Sequence, residues 1–196
     1  MPVSCLLFLL TSCGASPESA TPGEPRGCPA GDITVQVNQE AAELAACTSI
    51  NADLTVGPSF ALRDLTGLAR LRRVTGAIDL SDNIELAGFY MPRLVAVGGD
   101  LVVENNRQVA TVSLHRLVEV GGDLIVRDNR GLLRLDLGAL RRVGGRLEIS
   151  GHPALEAVVL DRLERAGELV LEENPAWPAG EAAAIARRLE REPRTR

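Results

Sequence analysis

The chain has 196 residues, enough for one domain of ordinary size with terminal extensions, and it is 45% hydrophobic but only 3% aromatic. A core of Leu, Val, Ile and Ala without aromatic bulk suits thin, regular layers better than an irregular globule. All 21 basic residues are Arg and the net charge is −5, which lacks the basic footprint of a nucleic-acid binder and excludes that class of partner.

The chain opens with "MPVSCLLFLLTSC", in which residues 5–10 form an apolar run too short to span a bilayer. Leu10, Thr11 and Ser12 lead into Cys13, an arrangement that resembles the bacterial lipoprotein signal. The resemblance implies that residues 1–12 leave as a signal peptide and that Cys13 becomes the lipidated start of the mature chain. Such a chain is exported and anchored in a membrane, the bacterial outer membrane by this reading. One departure is that no Lys or Arg precedes the apolar run. Residues 13–27 are rich in Pro, Gly, Ser, Glu and Ala without apolar periodicity, the composition of a flexible tether.

With Cys5 removed and Cys13 lipidated, Cys28 and Cys47 remain as an even pair in an exported chain, which predicts a disulfide. Closing a loop of about 20 residues is worth ~3 kcal/mol in the chain-entropy picture. Free thiols or a metal pair are the alternatives, but no His or further Cys lies nearby to complete a zinc site. Between the two cysteines, Ile33, Val35 and Val37 alternate as a strand does. Residues 38–47, "NQEAAELAAC", predict a short capping helix with Asn38 as its N-cap.

From there the chain repeats every 23 residues. Thr75-Gly76, Gly98-Gly99, Gly121-Gly122 and Gly144-Gly145 open successive units. Ile78, Leu101, Leu124 and Leu147 form one apolar column, and Leu80, Val103, Val126 and Ile149 form the next. A weaker unit with Leu54 and Val56 precedes, one residue longer, and a truncated one with Leu169, Leu171 and Asn174 follows. A fixed period in the twenties marks a solenoid. The alternation within each unit marks short strands, with no stretch long enough for a helix of its own. The expected fold is therefore mainly β, a solenoid of 23-residue coils stacked at strand spacing. The Gly-Gly pairs predict tight bends needing either positive φ or close backbone approach.

The column Asn83, Asn106, Asn129, His152 and Asn174 reads as a structural ladder whose side chains bond backbone groups left unpaired at a bend. His152 is then a substituted rung, not a catalytic base. After the last coil, "AGEAAAIARRLERE" places Ala182, Ile185, Ala186 and Leu189 on one helical face, a C-terminal cap with Trp177 packed nearby. Arg187, Arg188, Arg191, Arg194 and Arg196 read as its solvated side and tail. The domain plan is a signal over 1–12, lipidated Cys and tether over 13–27, solenoid over 28–178, and helix and tail over 179–196.

The segment "CTSI", then "LTV", then repeats of "L-x-x-V-G-G-x-L-x-V-x-x-N-x-x-L" resemble the receptor L-domain family across roughly Cys28 to Trp177. These are the right-handed β-helical ligand-binding domains of insulin and epidermal growth factor receptors, with bacterial and fungal relatives. Departures are Ala52, where the family favours Gly, and His152 in the Asn column. The cysteine-rich modules that flank the animal domains are missing, so hormone binding is not carried over. The resemblance implies a right-handed coil and a recognition module without chemistry of its own.

No catalytic or cofactor signature competes with that reading. His115 and His152 have no metal-ligand spacing, and Ser81 and Ser113 have no partner His and Asp. The acidic residues read as scattered among columns, with Asp100 and Asp123 stacked but forming no oxygen cage. No cofactor is expected. Two outward columns could instead recognise a partner. One runs through Asp79, Val102, Ile125, Glu148 and Val170 beside Glu104 and Arg127, with Val102 and Ile125 as adjacent exposed aliphatics inside a charged rim. The other is Arg70, Arg93, Arg116 and Arg162, broken by Ala139, which would suit an anionic partner unless Glu119, Asp136 and Glu164 neutralise it. The expected function is recognition of a protein or glycan at the cell envelope through a flat β-face. A structural, self-assembling envelope lipoprotein is the alternative.

Overall fold

The computed structural model describes residues 28–191, and the expected signal peptide, Cys13 and the tether lie outside the described residues. The chain runs β1 (Ile33–Val35), α1 (Asn38–Glu43), β2 (Ser49–Ile50), β3 (Leu54–Val56), β4 (Arg73–Val74), β5 (Ile78–Ser81) and β6 (Gly88–Tyr90). It continues β7 (Ala96–Val97), β8 (Leu101–Glu104), β9 (Thr111–Ser113), β10 (Glu119–Val120), β11 (Leu124–Arg127) and β12 (Arg134–Asp136). Last come β13 (Arg142–Val143), β14 (Arg146–Ser150), β15 (Ala157–Val159), β16 (Glu168–Glu172) and α2 (Ala179–Arg191).

These strands form three parallel sheets wrapped around one core: a seven-stranded sheet β1-β3-β5-β8-β11-β14-β16, a five-stranded sheet β2-β4-β7-β10-β13, and a four-stranded sheet β6-β9-β12-β15. The molecule is a β-solenoid with a short N-terminal helix and a C-terminal helix. The register follows the 23-residue period from Ile78 through Leu101 and Leu124 to Leu147, and a last step one residue shorter brings Leu169 into the same column. Leu54, Ile78, Leu101, Leu124 and Leu147 are all fully buried. Each such Leu is worth about 1.5–3 kcal/mol of burial, and that gain exists only because another coil covers it. A single-turn 3₁₀ segment at Thr66–Leu68 interrupts the first coil, the one helical piece inside the solenoid among the described residues.

Close approach, not positive φ, explains the Gly-Gly pairs. A Cβ on Gly98, Gly121 or Gly144 would overlap the carbonyl oxygen of Thr75, Gly98 or Gly121 in the coil before. On Gly122 or Gly145 it would overlap the carboxylate of Asp100 or Asp123. Those carboxylates belong to a second ladder, which adds Asp53 to the expected stack of Asp100 and Asp123 and gives the stack a backbone-bonding role. Asp53, Asp100 and Asp123 accept the backbone N–H of Ala77, Asp123 and Arg146 in the following coil at 2.7, 2.8 and 2.7 Å.

The N-terminal cap differs from expectation in one detail. Val37, not Asn38, occupies the N-cap of α1. The carboxylate of Glu40 reaches back to accept the N–H groups of Gln36 (2.6 Å) and Val37 (3.1 Å), which does the work of a capping side chain. Asn38 is thereby free to receive the Arg63 N–H at 2.9 Å and to donate to Asp64 at 2.8 Å, tying the cap to the first coil. At the other end Trp177 and Ile185 are buried against the last coil. Arg188 is not purely solvated, because its guanidinium donates to the Leu160 carbonyl.

The Cys28–Cys47 disulfide is formed, with Cα atoms 5.3 Å apart, and it closes the chain around β1 and α1. The N-terminal cap therefore has a covalent hold on the chain entering β2. Reduction, or a Cys28→Ser substitution, is expected to lower the melting temperature by about 6–12 °C. A Cys28→Ser chain that melts with wild type contradicts that role.

Candidate functional site

The bend that ends each strand of the large sheet creates the problem that the interior ladder solves. The residue just before each rung is left-handed: Asp82, Asn105, Asp128 and Glu173 have φ of 60, 52, 55 and 56°, and Gly151 has 71°. This kink turns the following side chain inward among apolar columns, where Asn83, Asn106, Asn129 and His152 are fully buried. Each rung then bonds both ways along the stack. Asn83 N–H donates to Asn106 Oδ1 (3.1 Å), Asn106 N–H to Asn129 Oδ1 (2.9 Å), Asn129 N–H to His152 Nδ1 (3.2 Å), and His152 N–H to Asn174 Oδ1 (3.2 Å). In return the side-chain amides of Asn83, Asn106, Asn129 and Asn174 donate to the carbonyls of Val56, Leu80, Val103 and Ile149 at 2.8–2.9 Å.

His152 fits because an imidazole can copy an amide. Its Nδ1 accepts the Asn129 N–H, so the proton is on Nε2, which faces the Val126 carbonyl at 3.1 Å. Burial holds its pKa below the ordinary imidazole value, opposed by the bond to Val126. The ring is a neutral structural rung. The column also has a first member that the sequence reading missed. Ser59 pairs with Asn83 and its Oγ accepts the N–H of Ala61 (3.1 Å) and Leu62 (2.9 Å). The longer first unit had shifted it out of register. Ser59 N–H goes to the Asp82 carbonyl instead of to Asn83, which leaves Asn83 Oδ1 without a partner.

On the outward side of the large sheet, Asp79, Val102, Ile125, Glu148 and Val170 do stand in one register column. Val102 and Ile125 are half-buried, not fully exposed as expected, since strands on both sides stand only about 4.8 Å away. The charged rim is largely self-paired. Glu104 binds Arg127 at 2.9 Å and holds that guanidinium above its usual pKa, while Arg146 bridges Glu148 (3.2 Å) and Glu168 (3.0 Å). Exposed pairs like these add little stability, and they leave the aliphatic pair as the uncharged centre of the face.

The Arg column is placed as expected, at the third position of the turns that precede the five-stranded sheet. Leu71, Leu94 and Leu117 close those turns by donating to Leu68, Met91 and Leu114 at 3.0, 3.1 and 2.8 Å. Arg70, Arg93, Arg116 and Arg162 are all exposed, and among the described residues none makes an ion pair. None of Glu119, Asp136 and Glu164 forms an ion pair with them among the described residues. Glu164 pairs with Arg141 at 3.1 Å, and Asp136 accepts the Gly138 N–H.

A cleft of about 600 Å³ separates β16 from α2, lined chiefly by Leu169, Leu171, Trp177 and the alanines of the helix. Nothing in the sequence pattern announced it. Among the described residues no group of three or more His, Cys, Asp and Glu could hold a metal ion, and no helix is long and apolar enough to cross a membrane. Comparison with known proteins finds no matching family model, no matching curated protein and no matching solved structure.

The rung assignment of His152 has a measurable consequence. Its depressed folded pKa means the unfolded chain binds the proton more tightly. The stability it contributes is therefore complete above the unfolded value of about 6.5 and is lost as pH falls from there toward the folded value. Urea titrations should find His152→Ala less stable by about 2–4 kcal/mol. They should find His152→Asn near wild type at pH 8 and without the acid loss in this window. A His152→Asn chain that keeps the same acid loss would contradict the assignment.

Proposed function

We propose that the chain is an exported, lipid-anchored recognition module of the receptor L-domain type, which binds a protein or glycan through the flat outward face of its large sheet. The observation that carries this reading is the pairing of Val102 with Ile125 at the middle of that sheet, between Asp79 and Glu148 and beside the Glu104–Arg127 pair. An aliphatic centre with a polar, pre-organised rim is the general anatomy of a recognition surface. Parallel strands in fixed register keep it flat, so little conformational entropy is lost when a partner docks.

The lipid at Cys13 and the tether over 13–27 would hold this face off a bacterial outer membrane. The reading needs no cofactor and no catalytic group. Arg70, Arg93, Arg116 and Arg162, exposed and without an ion pair among the described residues, give the same partner a place for an anionic group on a second side of the coil. Nucleic acid does not fit the acidic balance of the whole chain.

The test is a binding isotherm of the fluorescently labelled domain on isolated bacterial envelopes. Val102→Thr with Ile125→Thr keeps the branched shape that strands favour and removes the apolar centre. The expected result is saturable binding by wild type, weakened about tenfold or more in the double variant with its melting temperature retained. Equal binding by both proteins overturns the face as the site.

A further inference from the structure

The last coil ends as though another followed. In earlier coils the first apolar column points its N–H forward, from Leu54 to Ala77, Ile78 to Asp100 and Leu101 to Asp123, at 2.8–2.9 Å. The second column points its C=O forward, where Leu80, Val103 and Ile149 each receive the next rung's side-chain amide at 2.8 Å. The rung itself points its N–H forward to the rung after it. By the same register Leu169, Leu171 and Asn174 direct these groups beyond β16, the terminal strand of the sheet. All three residues line the cleft beneath α2.

The apolar packing is unfinished at the same place. Leu147 and Ile149 are fully buried, whereas Leu169 and Leu171, in the same columns, are only half-buried. The helix α2 is held over them by the buried Trp177 just before its start, which donates to Glu181 at 3.0 Å, and near its end by the bond from Arg188 to Leu160. Ile185 is also buried between these two attachments, but toward the cleft the helix presents Ala179, Ala182, Ala183 and Ala186, side chains too small to fill it. Glu172 and Glu173 complete the lining and Glu168 stands exposed at the strand's start, so the rim is acidic.

We propose that this cleft takes an extended peptide segment of a partner protein, added parallel to β16 as an eighth strand of the large sheet. Strand addition draws affinity from backbone hydrogen bonds and specificity from alternate side chains. β14 supplies the template on the other side of β16: Leu147 stands on Leu169, Ile149 on Leu171, and Arg146 binds Glu168 at 3.0 Å. The guest is therefore apolar at alternating positions with a basic residue ahead of them. The acidic rim disfavours a second copy of the acidic N-terminal edge, where Asp32 precedes β1. This site is separate from the flat outward face and does not depend on it.

Trp177 is the only Trp in the chain and lines the cleft, so its fluorescence reports occupancy directly. The probe is a blocked synthetic peptide with the sequence of residues 144–150, "GGRLEIS", titrated into the mature chain. A saturable micromolar change is expected. N-methylation of the peptide's Glu amide, which would donate to the Leu169 carbonyl, should weaken binding about tenfold. Ala183→Leu, an exposed position on the cleft wall, should weaken it at least as much without lowering the melting temperature. The absence of a saturable change, or equal binding of the N-methylated peptide, overturns the proposal. A Trp177 signal that follows protein concentration alone, together with dimer formation, also overturns it and gives the cleft to a second copy.

Discussion

Everything in this molecule depends on how backbone groups are satisfied where a buried chain must bend. A solenoid turn has to fold back over its own core, and the bend removes N–H and C=O groups from the sheet ladder while keeping them away from water. An unpaired buried group costs about 1–3 kcal/mol, so the loss would recur in every coil. The interior rungs remove that cost by joining each bend to its neighbours on both sides. A side chain with one acceptor and one donor at amide spacing is required, which Asn supplies and a neutral His152 reproduces. Asp53, Asp100 and Asp123 do the equivalent work at the start of the strands, and the paired glycines leave room for them.

Once the bends are fixed, the surfaces follow. Strict 23-residue register converts each outward position into a column, so single-residue choices become stripes across a rigid sheet. Two of those stripes differ in how far the fold uses them. The rim charges of the large sheet are mostly paired with one another, and its centre is aliphatic. The Arg column has no internal partner among the described residues. The coil ends differ in a third way, because a solenoid has no natural stop. At its start α1 and the disulfide are joined tightly to the first coil. At its end α2 leaves a cleft along the last strand.

The coils were legible in the sequence because a stacked fold must repeat its solution. Leu101, Leu124 and Leu147 recur at a fixed spacing since each covers the one before, and the Asn column recurs for the same reason. What was not legible lies where the repeat fails or where one residue type does two jobs. Ser59 escaped because an extra residue in the first unit displaced it. Asn38 looks like an N-cap by type, but the bonds to Arg63 and Asp64 claim it, and Glu40 caps in its place. The stack of Asp100 and Asp123 was legible, but Asp53 escaped because Ala77 interrupts the column and the first unit is one residue longer. The cleft has no signature at all, since small alanines on a helix face read equally as close packing or as room left for a guest.

The most direct test of the ladder is residue-resolved amide hydrogen exchange on the wild-type chain and on Asn106→Leu, which keeps the branched shape of the side chain and removes its rung bonds. Asn106 accepts from the Asn83 N–H and donates to the Leu80 carbonyl. If the rungs hold the coils together, the variant loses protection at Asn83 and across β5, β8 and β11 together, while α1 and the disulfide-closed cap exchange as before. Protection that stays at its wild-type level in those strands would contradict the account, leaving the apolar columns alone to hold the stack.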